Sequence, residues 1–286
     1  MRTMLHATGG RDHRRQWLLA AATVTLLLEI LGLAGVVDHV VLGRINLSPS
    51  LPASFLVAAL AGTTIVGRRT DGRAALAYWV MGAVVLAGAG LAFARVNDPA
   101  DVTGVILAGF NEELVYRLAV PMAVAVVLMV VGMGDRLALA AGFVLAGVWF
   151  VLLPGHRSQI TEAGDVASYL AFAALSAIIA YRSAAVLAAG LVHVVVNLLT
   201  LLMWQGELSP GVRSAVIGGL LALLVLAYGV RVPTRERGMV DVAERLAPWD
   251  LARSREPVII DLRERIDLTT VPIEAPLPRR YRKFSQ

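Results

Sequence analysis

The chain has 286 residues, 57% of them hydrophobic and 16% charged, with a mean hydropathy of +0.70; a soluble domain carries about a quarter charged residues. Cysteine is absent, which excludes disulfides, zinc–thiolate sites, iron–sulfur clusters and cysteine nucleophiles. The formal charge is +5, its positive side almost all arginine, and in so apolar a chain basic residues report membrane orientation before nucleic acid. Basic residues are not interleaved with stacking aromatics, so no nucleic-acid partner is expected.

These properties predict an all-α, polytopic transmembrane helix bundle of about eight spans. A basic arm over residues 1–16 (Arg2, Arg11, Arg14, Arg15) precedes an apolar run at 17–37. That run is longer than the hydrophobic stretch of a signal peptide and more spans follow, so it reads as an uncleaved first helix. Pro49 and Pro52 bracket the start of a second span, 51–67, and a third covers 74–94. Asn97-Asp98-Pro99 separates it from 102–132, which is long for one crossing and is tilted, kinked at Pro121, or begun at the interface. Further spans are 137–154, 166–181, 184–203 and 214–230, cut by Pro154-Gly155 and Ser209-Pro210-Gly211. Gly82, Gly88, Gly90, Gly142 and Gly147 are small positions suited to close helix packing in lipid.

The transmembrane domain thus covers 17–232. Residues 233–286 hold eleven basic and nine acidic side chains and read as a largely irregular cytoplasmic tail. Within it, Val240–Ala247 has the pattern of a short amphipathic surface helix, and Arg279, Arg280, Arg282 and Lys283 form a basic end suited to anionic lipid. Arginines in the arm and loops divide nine against four, which places both termini in the cytoplasm of a cell-membrane protein, with His156 toward the outer face.

Only four charged residues fall inside the spans, Glu29, Glu112, Glu113 and Arg117, together with His193. An ionised group at the bilayer centre costs about 3 kcal/mol on insertion scales, so each is a candidate. Glu29 is alone in its helix. Glu113 and Arg117 are four residues apart and share a helix face. Their ion pair holds Glu113 charged and leaves Glu112 about 100° round the helix, free to activate a water. The competing reading is a salt bridge that pins two helices. His193 and Asn197 form a polar stripe able to accept hydrogen bonds, bind a metal through histidine, or donate to an oxyanion. His156, taken alone, is an ordinary loop histidine. Together these are the parts for water-mediated amide hydrolysis, and Glu112, His156 and His193 are also a zinc-type ligand set.

The order Glu-Glu-x-x-x-Arg (Glu112, Glu113, Arg117), a histidine near a helix end (His156), then His-x-x-x-Asn (His193, Asn197) resembles the CPBP family of intramembrane proteases. That family includes the type II CAAX prenyl endopeptidases and proteins linked to bacteriocin immunity. The resemblance covers about 102–203. The second motif is usually Phe-x-x-x-His; here Leu152 stands at that distance from His156, with Phe150 close by. The resemblance implies a membrane metalloendopeptidase with the catalytic set Glu112, Glu113, His156, His193 and Asn197. Glu112 activates water with help from His156, His193 and Asn197 stabilise the oxyanion, and Glu113 and Arg117 organise the site. A divalent metal such as zinc on Glu112, His156 and His193 is compatible with the same residues. The implied partners are a membrane-protein or peptide substrate and the bilayer. Two rival readings are a non-enzymatic immunity or chaperone-like membrane protein, and an ion-coupled transporter. The latter lacks repeat symmetry and paired broken helices.

Overall fold

Helices appear at every apolar run in the computed structural model, which describes residues 6–67, 72–157 and 163–229. The tail 233–286, with the Val240–Ala247 segment and the basic end, lies outside the described residues. The helices are α1 (His6–Leu33), α2 (Leu51–Ala61), α3 (Gly72–Arg95), α4 (Pro99–Leu114), α5 (Val120–Val130), α6 (Asp135–Leu152), α7 (Pro154–Arg157), α8 (Ala163–Ser183), α9 (Val186–Trp204) and α10 (Pro210–Leu224). Helix α1 begins inside the basic arm, so Arg11, Arg14 and Arg15 stand on its first turns. Arg14 Nε donates to the Leu60 carbonyl at 2.7 Å, tying the arm to α2.

Among the described residues, six helical stretches are long and apolar enough to cross a membrane: Gln16–Leu33, Gly72–Arg95, Pro99–Val130, Asp135–Leu152, Val186–Trp204 and Pro210–Tyr228. Their outer surfaces suit lipid, with Leu86, Trp79 and Leu226 among the most exposed large apolar side chains. Two of the predicted spans fall on shorter apolar helices, Leu51–Ala61 and Tyr169–Ser183. At 1.5 Å per residue, the 11 residues of α2 reach about 16 Å, half of a hydrocarbon core about 30 Å thick.

The link between α1 and α2 holds a small antiparallel hairpin, β1 (Val40–Leu42) and β2 (Ile45–Leu47), with Val40 opposite Leu47. Two aliphatic runs around Gly43-Arg44 supply the pattern. Gly43 takes φ +63°, the left-handed region that a two-residue hairpin turn requires and glycine adopts without strain. Arg44 pairs with Asp98, and Arg95 with Glu207, each at 3.3 Å. These pairs gather the hairpin, the α3–α4 turn and the α9–α10 turn at one end of the bundle.

Helices α4 and α5 are one continuous rod interrupted by a π-helical turn, Val115–Ala119. The Val120 amide bonds to the Val115 carbonyl, five residues back instead of four. Pro121 has no amide hydrogen to give the Arg117 carbonyl, and the wider turn lets the chain pass the proline without a sharp break. The long fourth segment therefore departs from straight α-geometry just ahead of Pro121.

Close approach of α4 to α9 sets the centre of the bundle. A Cβ on Gly109 would stand 3.0 Å from the Val194 amide nitrogen, and one on Gly190 would stand 2.9 Å from the Phe110 ring. Of the glycines singled out by sequence, Gly142 is tightly seated, against the Pro121 carbonyl, while Gly82, Gly90 and Gly147 face open space. Two apolar clusters complete the core. One joins α3, α4, α9 and α10 through Met81, Tyr116, Leu198, Leu202 and Leu224. The other joins α1, α2, α5 and α6 through Leu18, Val57, Met122 and Leu139.

Candidate active site

The antiparallel meeting of α4 and α9 brings the two sequence motifs face to face. Glu113 Oε1 lies 3.0 Å from His193 Nδ1, and Glu112 Oε2 lies 3.5 Å from His193 Nε2. One imidazole thus stands between two adjacent carboxylates that sequence spacing had set about 100° apart. His156, on the short α7 beyond the end of α6, brings Nε2 to 3.2 Å from the same Glu112 oxygen. One Glu112 oxygen therefore faces both imidazoles.

The remote nitrogen of each ring is occupied. His193 Nδ1 meets Glu113, and His156 Nδ1 is 2.7 Å from the Phe150 carbonyl. Acceptors at both Nδ1 atoms favour hydrogen there, so each Nε2 is the atom presented to Glu112: neutral it offers a lone pair, and protonated it donates. An imidazole anchored in this way is the usual arrangement of a metal ligand or general base. Burial disfavours charge on His156, but the adjoining Glu112 carboxylate, with the Phe150 carbonyl, outweighs it and holds the imidazole above its ordinary value.

Phe150 was only a neighbour in the sequence pattern, and the fold gives it several contacts. Its ring is buried and lies 4.4 Å from the His156 ring and 5.7 Å from the His193 ring, with the Arg117 guanidinium 4.9 Å over its face. Phe172 closes on His193 at 5.0 Å. Leu152, at the position where the family pattern has phenylalanine, is exposed.

Arg117 is wholly buried in the π turn. Its Nε is 3.6 Å from Glu113 Oε2 and donates to Ser176 Oγ at 2.9 Å, while Nη1 donates to the Tyr116 carbonyl at 3.2 Å. Arg117 Nη2, Glu113 Oε2 and Glu112 Oε2 are buried without a hydrogen-bond partner, so the cluster keeps unused donor and acceptor capacity. Asn197 stays on the His193 face, but its amide donates to the Val105 carbonyl at 3.3 Å, bonding α9 back to α4.

Glu29, unexplained in the sequence, acquires partners. Ser48 Oγ and Tyr116 Oη donate to it at 3.1 Å and 3.0 Å, and Ser50 Oγ donates to the oxygen that Ser48 uses. The network continues through Asn111, which donates to Ser50 Oγ at 3.3 Å and accepts from Ser54 Oγ at 2.6 Å. Asn111 on α4 and Tyr116 in the π turn flank the carboxylate pair. The polar Ser-Pro-Ser link before α2 was the available sign of this network.

Among the described residues no three histidine, aspartate or glutamate side chains meet at metal-ligand spacing. The donor chemistry of Glu112, His156 and His193 is still that of a zinc set, and both anchored Nδ1 atoms fit that role. No family model, curated protein or solved structure matches the chain.

Proposed function

We propose that the protein is an intramembrane endopeptidase of the CPBP type. The observation that carries this reading is the convergence of Glu112 Oε2 with the Nε2 atoms of His156 and His193 at 3.2 Å and 3.5 Å. Glu112 also lines a cavity of about 170 Å³. In the proposed reaction Glu112, assisted by His156, takes a proton from a water that attacks the scissile carbonyl. The proton then passes to the leaving amine. His193 and Asn197 donate to the developing oxyanion, for which Asn197 exchanges its Val105 carbonyl for the substrate. Glu113 holds the His193 ring and Arg117 holds Glu113. A divalent metal would be held by Glu112, His156 and His193 and would supply Lewis-acid activation of the water.

The two termini are read as cytoplasmic from the arginine count, which puts the hairpin and His156 end on the outer side. The chain has no cysteine of its own, so impermeant thiol labelling of a single cysteine placed at Arg44 tests this cleanly.

The deeply buried Glu113–Arg117–Ser176 set favours a purely structural role for that half of the cluster, as in the non-enzymatic reading. Glu112→Gln separates the alternatives. Compared in membranes with the wild type, it loses about 10²–10⁴-fold of the cleavage while its melting temperature stays put. Equal turnover by purified Glu112→Gln protein overturns the endopeptidase reading; loss of function only alongside unfolding supports the structural one. Metal analysis of the purified protein, with and without chelator, tests the zinc set.

A further inference from the structure

The cavity that reaches Glu112 has a second acidic wall to which hydrolysis assigns no task. It lies between α1, the hairpin end and α4 and encloses about 170 Å³. Its polar lining is Glu29, Asn46, Ser48, Asn111, Glu112 and Tyr116, and the rest of its wall is apolar or glycine. No basic side chain lines it. Both Glu29 oxygens accept from hydroxyl groups alone, and among the described residues no cation pairs with it. Hydroxyl donors satisfy its lone pairs without supplying positive charge. The field of the carboxylate therefore extends into a small, partly enclosed space, where an entering cation is attracted more strongly than in bulk water. The volume is below the roughly 300–1,000 Å³ of pockets for drug-sized ligands, so the space suits one extended side chain and not a whole lipid-like group. Apolar walls with an acidic side match a long aliphatic stem that ends in a charge.

We propose that this cavity is a specificity subsite for a lysine or arginine side chain of the substrate, with Glu29 engaging the charge while Glu112 meets the neighbouring peptide bond. The inference rests on the endopeptidase reading and adds the class of residue beside the cut.

The test uses full-length Glu112→Gln protein in nanodiscs, so that binding is read without cleavage. The probes are short Leu–Ala peptides in which one lysine is walked along the sequence, each with a norleucine twin. One lysine position is expected to bind about tenfold more tightly than its twin. Adding Glu29→Gln removes that preference. Asn46 is exposed on β2 and supplies variants that spare the packed core: Asn46→Asp strengthens the preference and Asn46→Lys abolishes it. Equal binding of all twins, or a lysine preference that survives both Glu29→Gln and Asn46→Lys, overturns the inference. Wild-type protein is then given the same peptides. Cleavage that needs Glu112 but ignores lysine sinks the subsite and leaves the endopeptidase standing. Glu29-dependent lysine binding with no cleavage of any peptide or membrane protein does the reverse.

Discussion

Replacing Arg117 with methionine keeps most of the side-chain volume and deletes the guanidinium. Arg117 is 0% and Glu113 1% exposed, so the change strands Glu113 in the core with His193 as its remaining polar contact. Removing one partner of a buried ion pair costs about 3–5 kcal/mol. At about 2–4 °C per kcal/mol for a chain of this size, Arg117→Met lowers the melting temperature in detergent by about 6–20 °C. The double variant Glu113→Gln/Arg117→Met removes both charges together and is expected to be milder than the sum of the single changes, by about 0.5–3 kcal/mol. Arg44→Ala is the internal control. Its pair with Asp98 has the shorter distance, 3.3 Å, but the two side chains are 82% and 35% exposed, and such surface pairs contribute about 0–1 kcal/mol. Burial, and not distance, decides the ranking. A shift for Arg117→Met no larger than that of Arg44→Ala, or strict additivity in the double variant, refutes this account of the buried pair.

Gly109→Ala drives a methyl into the Val194 backbone, costs about 1–3 kcal/mol by overpacking, and parts Glu113 from His193. Gly82→Ala, in open space, stays neutral or gains up to about 1 kcal/mol of helix propensity; thermal unfolding of the two variants side by side checks both. Asn197→Ala lowers cleavage by about 10²–10³-fold if its amide serves the oxyanion, and a change confined to melting temperature assigns it to the α4–α9 tie alone. His156 titrates above its ordinary value of 6.5 in the folded protein. Its contribution to stability is full below that value and disappears as pH rises through the higher folded one. Melting temperature measured against pH should therefore show an alkaline decline that His156→Gln removes.

The apolar runs, and Glu112, Glu113, Arg117 and His193 within them, were legible because lipid makes every charge in an apolar run conspicuous; Asn197 stood out one turn beyond His193, and His156 only through the family resemblance. What the spacing did not show was which surfaces meet. Glu29 looked solitary because its partners lie in a link outside any span and on another helix. Gly109 and Gly190 were passed over in favour of Gly82, Gly90 and Gly147, since a glycine facing a backbone and one facing lipid look alike along a single chain. Phe150 was hidden for a related reason. Its carbonyl and its ring act in different directions, and only the sharp break at Leu153 and Pro154 swings His156 back onto that carbonyl. The hairpin went unread beside the dominant helical pattern.

The π turn has a further consequence for any change in chain length. It contains one residue more than an α-helix needs, so α4 and α5 belong to different angular registers and no single helical wheel describes 99–130. Deleting one residue within Val115–Ala119 would remove the extra residue and heal the helix with α5 facing as it does now, whereas a deletion in the regular turns of α4 or α5 would rotate everything beyond it by about 100°. A deletion of that second kind in α4 would turn Met122 and Ala125, now buried, off the partners that α4 and its neighbours give them. The rod should therefore tolerate a single-residue deletion inside the π turn far better than one in the α-helical turns on either side.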